Sequence, residues 1–277
     1  MKLMTRAAGL ALAICVCSVS AAFAQASLVD LLGRHGIEVK GGRIDRAFDS
    51  HAAPALPVAP GAFVNPLALM TATTGEDRID AAYTFAILAG PSGRAASPQE
   101  VSAVGHILVL MINSENRKTR VAGARVAGRL FAVPFDGSTR QELPQGMLDS
   151  IYRLLNEGEE TELLAGMDAI GLLREPAAVI SLTDRYYYHR EEGKRALAGA
   201  ALEALARIGD RSSVPVIQQL QGDKWADGKD STALAVAFAR ERLLKDGSIS
   251  AIRAALDDKS RRDQARGYLA ELGAPVP

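Results

Sequence analysis

The chain has 277 residues, 32 basic and 32 acidic side chains, and a formal net charge of zero at pH 7. An even balance with no block of like charge lacks the basic stripe on which nucleic-acid binding depends, and the length suffices for one large or two ordinary domains. Aromatic residues make up only 5 % of the chain, while alanine and leucine, both strong helix formers, dominate.

Met1 to Ala24 reads as a secretory signal peptide. Lys2 and Arg6 supply the positive start, Ala7 to Val19 the apolar stretch, and Ala22-Phe23-Ala24 a small-x-small cleavage site, so the cut is expected before Gln25. The apolar run is shorter than the roughly 20 residues a bilayer span needs. Cys15 and Cys17 both fall inside this segment, and neither follows the small residue a lipoprotein site requires. The mature chain then holds no disulfide, no thiolate metal site and no cysteine nucleophile. Losing Lys2 and Arg6 tips the charge slightly acidic. The expected location is periplasmic or secreted, with no stable membrane insertion once the signal is removed.

Residues 25–65 form an N-terminal region of loose structure. Gly33, Gly36, Gly41 and Gly42 break any long helix, and His51 to Pro66 is a Pro/Ala-rich spacer in which proline removes backbone donors. Ser27 to Leu32 could start a short helix, and Ile37-Glu38-Val39 could form a short strand.

From Pro66 the pattern is helical nearly to the end. Phrases recur at intervals: Val121 to Leu130 matches Leu164 to Leu173, and Ala169-Ile170 returns as Ala204-Leu205. Val179, Val214 and Ile249 are 35 apart, as are Leu182, Ile217 and Ile252. Self-similarity at such a period marks a repeat architecture. Leu197, Ala201, Ala204, Leu205 and Ile208 share one helical face. Gly209-Asp210 is placed to end that helix. Ser212 or Ser213 is expected to cap the next, with Pro215 in its first turn. Each helix pair buries one stripe within itself and needs a neighbour for the other, so the pairs should stack.

At these residues the chain resembles the HEAT repeat superfamily, in particular its short, PBS-lyase-like form. The pattern is carried by Arg195, Ala198, Ala201, Leu202, Ala204, Leu205, Ile208, Gly209, Asp210, Val214, Pro215, Ile217 and Leu220. In the unit from Glu162 to Thr183, Arg174-Glu175 stands where the pattern has Gly-Asp, and the match is weaker over 81–110 and 231–256. The resemblance implies an all-α fold over 66–277: a right-handed α-solenoid of about five to six helix pairs, with a convex and a concave surface. It says almost nothing about function, because the same packing serves many tasks.

No catalytic constellation assembles. His35, His51, His106 and His189 form no H-x-x-x-H pair, and the chain lacks a G-x-S-x-G elbow, a phosphate-binding loop and a C-x-x-C-H haem site. His106, among Val104, Ile107 and Leu108, reads as a partly buried core histidine. Glu157-Gly158-Glu159-Glu160 reads as a solvated turn that places acids at the next helix N-terminus, not as a cation site. Arg117, Lys118, Arg120, Arg261 and Arg262 begin first helices and read as solvated or inter-repeat charges. No metal and no cofactor are expected.

One feature departs from the Ala/Leu background: Tyr186-Tyr187-Tyr188-His189-Arg190, expected in a loop at the end of a second helix. Trp225 lies 35 residues after Arg190, so the two loops should project from one edge. Aromatic and arginine side chains anchor protein interfaces. Tyr186, Tyr187, Tyr188, Arg190 and Trp225 are therefore candidate binding residues, unless their rings instead staple neighbouring repeats. The function expected is a non-catalytic protein-interaction scaffold whose partner is another protein and not a nucleic acid. A groove that binds a small molecule or cell-wall component is the alternative, and an enzyme with an unfamiliar site comes after it.

Overall fold

The structure is a computed structural model that describes residues 78–79, 81–83, 85–86, 98–133, 142–225, 228 and 230–276. The leader, the spacer and the expected short helix and strand at 27–39 lie outside the described residues. Among the described residues every regular element is helical.

Among the described residues, ten α-helices follow the helical residues 78–79, 81–83 and 85–86. They are α1 (Pro98–Ile112), α2 (Arg117–Leu130), α3 (Met147–Glu157), α4 (Glu160–Leu172) and α5 (Val179–Glu191). Then come α6 (Arg195–Ile208), α7 (Val214–Gln218), α8 (Ser231–Leu244), α9 (Ile249–Ala254) and α10 (Arg262–Glu271). Single 3₁₀ turns, Pro176–Ala178 and Arg211–Ser213, lead into α5 and α7.

Three helix starts are set by side chains that satisfy free backbone N–H groups. Asn116 Oδ1 accepts from the Thr119 N–H (3.3 Å) at α2, and Asp230 Oδ1 from the Ala233 N–H (2.8 Å) at α8. At α4 the Glu159 N–H donates to Glu162 Oε2 (3.0 Å). The acids of the 157–160 run thus serve a helix start.

One turn recurs between first and second helices. A residue with positive φ is followed by an acid that accepts from the N–H two residues on. Arg174 (φ 49°), Gly209 (φ 73°) and Lys245 (φ 52°) are the left-handed residues. Glu175 accepts from Ala177 N–H (3.3 Å), Asp210 from Ser212 N–H (2.8 Å) and Asp246 from Ser248 N–H (3.1 Å). This corrects the expected cap. The Ser213 side chain makes no cap hydrogen bond at α7, and Asp210 caps the turn before it, because the short acid reaches its own downstream N–H. Pro215 does sit in the first turn of α7.

The helices sort into two rows. α2, α4, α6, α8 and α10 pack in succession, and α1, α3, α5, α7 and α9 each lie against the following member of that row. Small residues let the first row close up. A Cβ added at Gly128 would meet Ala169 Cα at 2.7 Å, and one at Gly171 would meet Ala204 Cα at 2.8 Å. At the next crossing Gly199 is looser, 3.5 Å from Thr232 Cα. Leu197, Ala201, Ala204 and Leu205 are buried as the periodicity predicts. Phe238 stacks on Tyr268 at 4.3 Å between α8 and α10.

His106 departs from expectation. It is exposed, with Nδ1 2.8 Å from the Ser102 carbonyl, because its position on α1 faces away from α2 and α3. Among the described residues the buried histidine is His189.

Candidate interaction site

The tyrosine run lies inside α5, not in a loop. The helix continues to Glu191 and closes at Gly193 (φ 70°), where the Lys194 N–H donates to the His189 carbonyl at 2.8 Å. A helix distributes consecutive side chains around its axis, so the three rings have three fates. Tyr186 is 1 % exposed. Tyr187 is half-buried, and its hydroxyl donates to Gln219 Oε1 at 2.8 Å, just beyond α7. Tyr188 is 55 % exposed, with the Lys194 ammonium 5.8 Å from its ring centre. The five candidate residues are therefore not one exposed patch.

The structure does bring Arg190 and Trp225 together. The Arg190 guanidinium lies 5.5 Å from the Trp225 ring centre and 5.8 Å from that of Tyr186. It donates to the Tyr186 hydroxyl and forms an ion pair with Asp223. Arg195, at the start of α6, lies 4.8 Å from the same indole and pairs with Asp230 at 2.8 Å. A half-buried tryptophan with two guanidiniums close to its ring gains cation–π attraction that bulk water would weaken.

The local electrostatics follow from these contacts. Burial opposes the charge on Asp223, yet the Trp225 N–H and the Arg190 and Arg195 guanidiniums together hold its carboxyl below the ordinary value. Asp230 is held low in the same way, burial being outweighed by Arg195 and the Ala233 N–H. Burial pushes the Tyr186 hydroxyl up, with Arg190 pulling against it. The edge is ionic, internally paired and aromatic.

Arg195, Gln219, Asp223 and Asp230 were not among the predicted site residues. Arg195 and Asp230 could have been found: they are 35 apart and open successive first helices. The same pairing recurs where Arg120 meets Glu162 at 2.6 Å and where Arg117 meets Glu159. Arg117, Arg120 and Arg195 thus tie the starts of α2 and α6 to the start of the next helix in the row, whereas Arg261 pairs locally with Asp258 at 2.8 Å.

A second charged cluster crosses the first row. Arg207 on α6 is 1 % exposed and meets Asp168 of α4 at 2.7 Å, Glu203 at 3.6 Å and Glu271 of α10 at 2.9 Å. Arg129 of α2 also reaches Asp168, at 3.8 Å. The attraction of three carboxylates outweighs burial and holds Arg207 charged. The 35-residue spacing carried the signal: it sets Asp168 beside Glu203 in register, and Arg207 beside Arg242 four positions further on.

Among the described residues no group of three or more His, Cys, Asp or Glu side chains is placed to hold a metal ion, and no helix is long and apolar enough to cross a membrane. No family model matches the chain, and no curated protein matches it either.

Proposed function

We propose that residues 66–277 form a HEAT-like, right-handed α-solenoid that serves as a non-catalytic scaffold for another protein, exported to the bacterial envelope or beyond. The two rows of helices and the thrice-repeated turn at Arg174, Gly209 and Lys245 support the repeat reading. Stacked pairs of this kind offer a preformed extended surface.

The observation that carries the binding reading is the edge where α5 meets the 219–225 loop. Two successive repeats there present Tyr188, Lys194, Arg190, Arg195 and Trp225 side by side. Tyr186 and Tyr187 hold the repeats together, while Tyr188 is free to meet a partner. A groove for a small molecule or cell-wall component is the less favoured reading, because the Arg207 bridges occupy the crossing of α4, α6 and α10.

The test uses the exported chain as bait in its native envelope fraction, with a Tyr188→Ala/Lys194→Ala variant beside it. The expected result is a protein captured by the wild type and lost by the variant at unchanged melting temperature. Equal capture by both removes this edge as the binding surface.

A further inference from the structure

His189 faces inward from the last turn of α5 and is 2 % exposed, and neither ring nitrogen has a hydrogen-bond partner. Four residues earlier, Arg185 Nε is also buried without a partner, although its Nη2 donates to Asn156 Oδ1 at 3.1 Å. The charged groups facing His189 are Arg185 and Glu192 from α5 and its end, Lys194 from the start of α6 and Glu160 from the first turn of α4. The Tyr188 ring meets the imidazole edge-on at 5.2 Å.

A buried polar ring without partners is costly, and a buried cation without partners costs far more. Burial, with Arg185 and Lys194 beside it, holds the His189 pKa below the ordinary 6.5, and Glu160 and Glu192 oppose this without reversing it. The folded protein therefore takes up this proton less readily than the unfolded chain. The stability that His189 contributes is full above about pH 6.5 and is lost as pH falls through the lower, folded value. The ring can be protonated cheaply only by leaving the interior.

The turn that carries His189 also carries the edge. Its carbonyl accepts the Lys194 N–H that closes α5. Tyr187 and Arg190, two residues before and one after, hold Gln219 and Asp223 of the next loop. We propose that His189 is an acid-triggered latch: when the ring gains a proton it leaves the interior, the last turn of α5 releases the 219–225 loop, and the half-buried Tyr187 and Trp225 become fully exposed. Asp223 pairs with Arg190 and is held below its ordinary value, so it stays charged through this window and does not itself release the loop. The latch does not rest on the scaffold reading, since it needs no partner.

Trp225 is the only tryptophan in the chain and reports on the edge directly. The experiment follows tryptophan emission of the full chain from about pH 7.5 to about pH 4.5, with far-UV circular dichroism alongside. The expected result is one transition with a midpoint below the histidine value of about 6.5, at constant helix content. His106→Gln should keep it, while His189→Gln and His189→Leu should lose it. No transition in the wild type, or one retained by both His189 variants, overturns the proposal. Should the variants not fold, NMR titration of the histidine rings in the wild type decides instead. A His189 midpoint that coincides with the Trp225 transition supports the latch, and a separate midpoint overturns it.

Discussion

The three glycine crossings of the first row predict opposite signs for the same substitution. Gly171→Ala puts a Cβ 2.8 Å from the Ala204 Cα, a backbone atom that no rotamer change can move. Carbon atoms pack best at about 3.5–4.0 Å, so α4 and α6 must separate by roughly 0.7 Å against close-packed neighbours. Overpacking of this kind costs about 1–3 kcal/mol. Replacing a helical glycine by alanine returns about 0.5–1 kcal/mol, so the net expectation is a loss of about 0–2.5 kcal/mol. Gly199→Ala meets Thr232 Cα at an ordinary 3.5 Å. It should keep the backbone gain and stabilise by about 0.5–1 kcal/mol. Urea unfolding of both variants, with unchanged slope, reads the midpoints. A Gly171→Ala protein stabilised as much as Gly199→Ala would refute the reasoning, because the row could then widen without penalty.

Lys245 holds φ 52° at an exposed position; Lys245→Gly should remove the left-handed strain and stabilise by roughly 0.5–1 kcal/mol, read as a higher urea midpoint. Arg207→Ala leaves Asp168, Glu203 and Glu271 without their shared cation; the expected loss is about 3–5 kcal/mol, and calorimetry showing a melting temperature within a degree or so of wild type would contradict it. Asp258 is held at about 2 by the Ser260 hydroxyl, Arg261 and the Ser260 N–H. Because its folded value lies below the unfolded one, its contribution is present above the ordinary carboxylate range and is lost as pH falls toward about 2. Ser260→Ala should shrink that acid-side loss in denaturation curves taken on both sides of it.

The helical part of the fold could be read from sequence where side chains advertise their backbone. α6 has an apolar face of the right period and a glycine at its end, and the structure places both as expected. The alignment with Gly-Asp marks the turn at Arg174-Glu175, but the positive φ of Arg174 and of Lys245 was hidden, because a long basic residue gives no sign that it will adopt it. The tyrosine run was misplaced for a related reason. A bulky polar cluster looks like a loop, but α5 ends only at Gly193, which supplies the left-handed closure. The edge itself was half legible: the 35-residue spacing brought Arg190 beside Trp225. That Tyr186 points inward while Tyr188 points out depends on the helix phase relative to α6 and α7, which a motif does not carry. Arg207 was missed because a charge in a first helix reads as solvated until the helices that bury it are in place.

Arrays of stacked helix pairs ordinarily fray from their ends, each unit answering only to its neighbours. Arg207 breaks that locality. It sits on α6 yet grips α10 past the intervening α8, and on its other side it holds α4. Peeling away the last helix therefore strips a counter-charge from the middle of the protein, and the injury is felt as far back as Asp168. The C-terminal half should melt as a single block with a steep transition, and a nick after Leu256 should cost far more than the loss of one terminal unit.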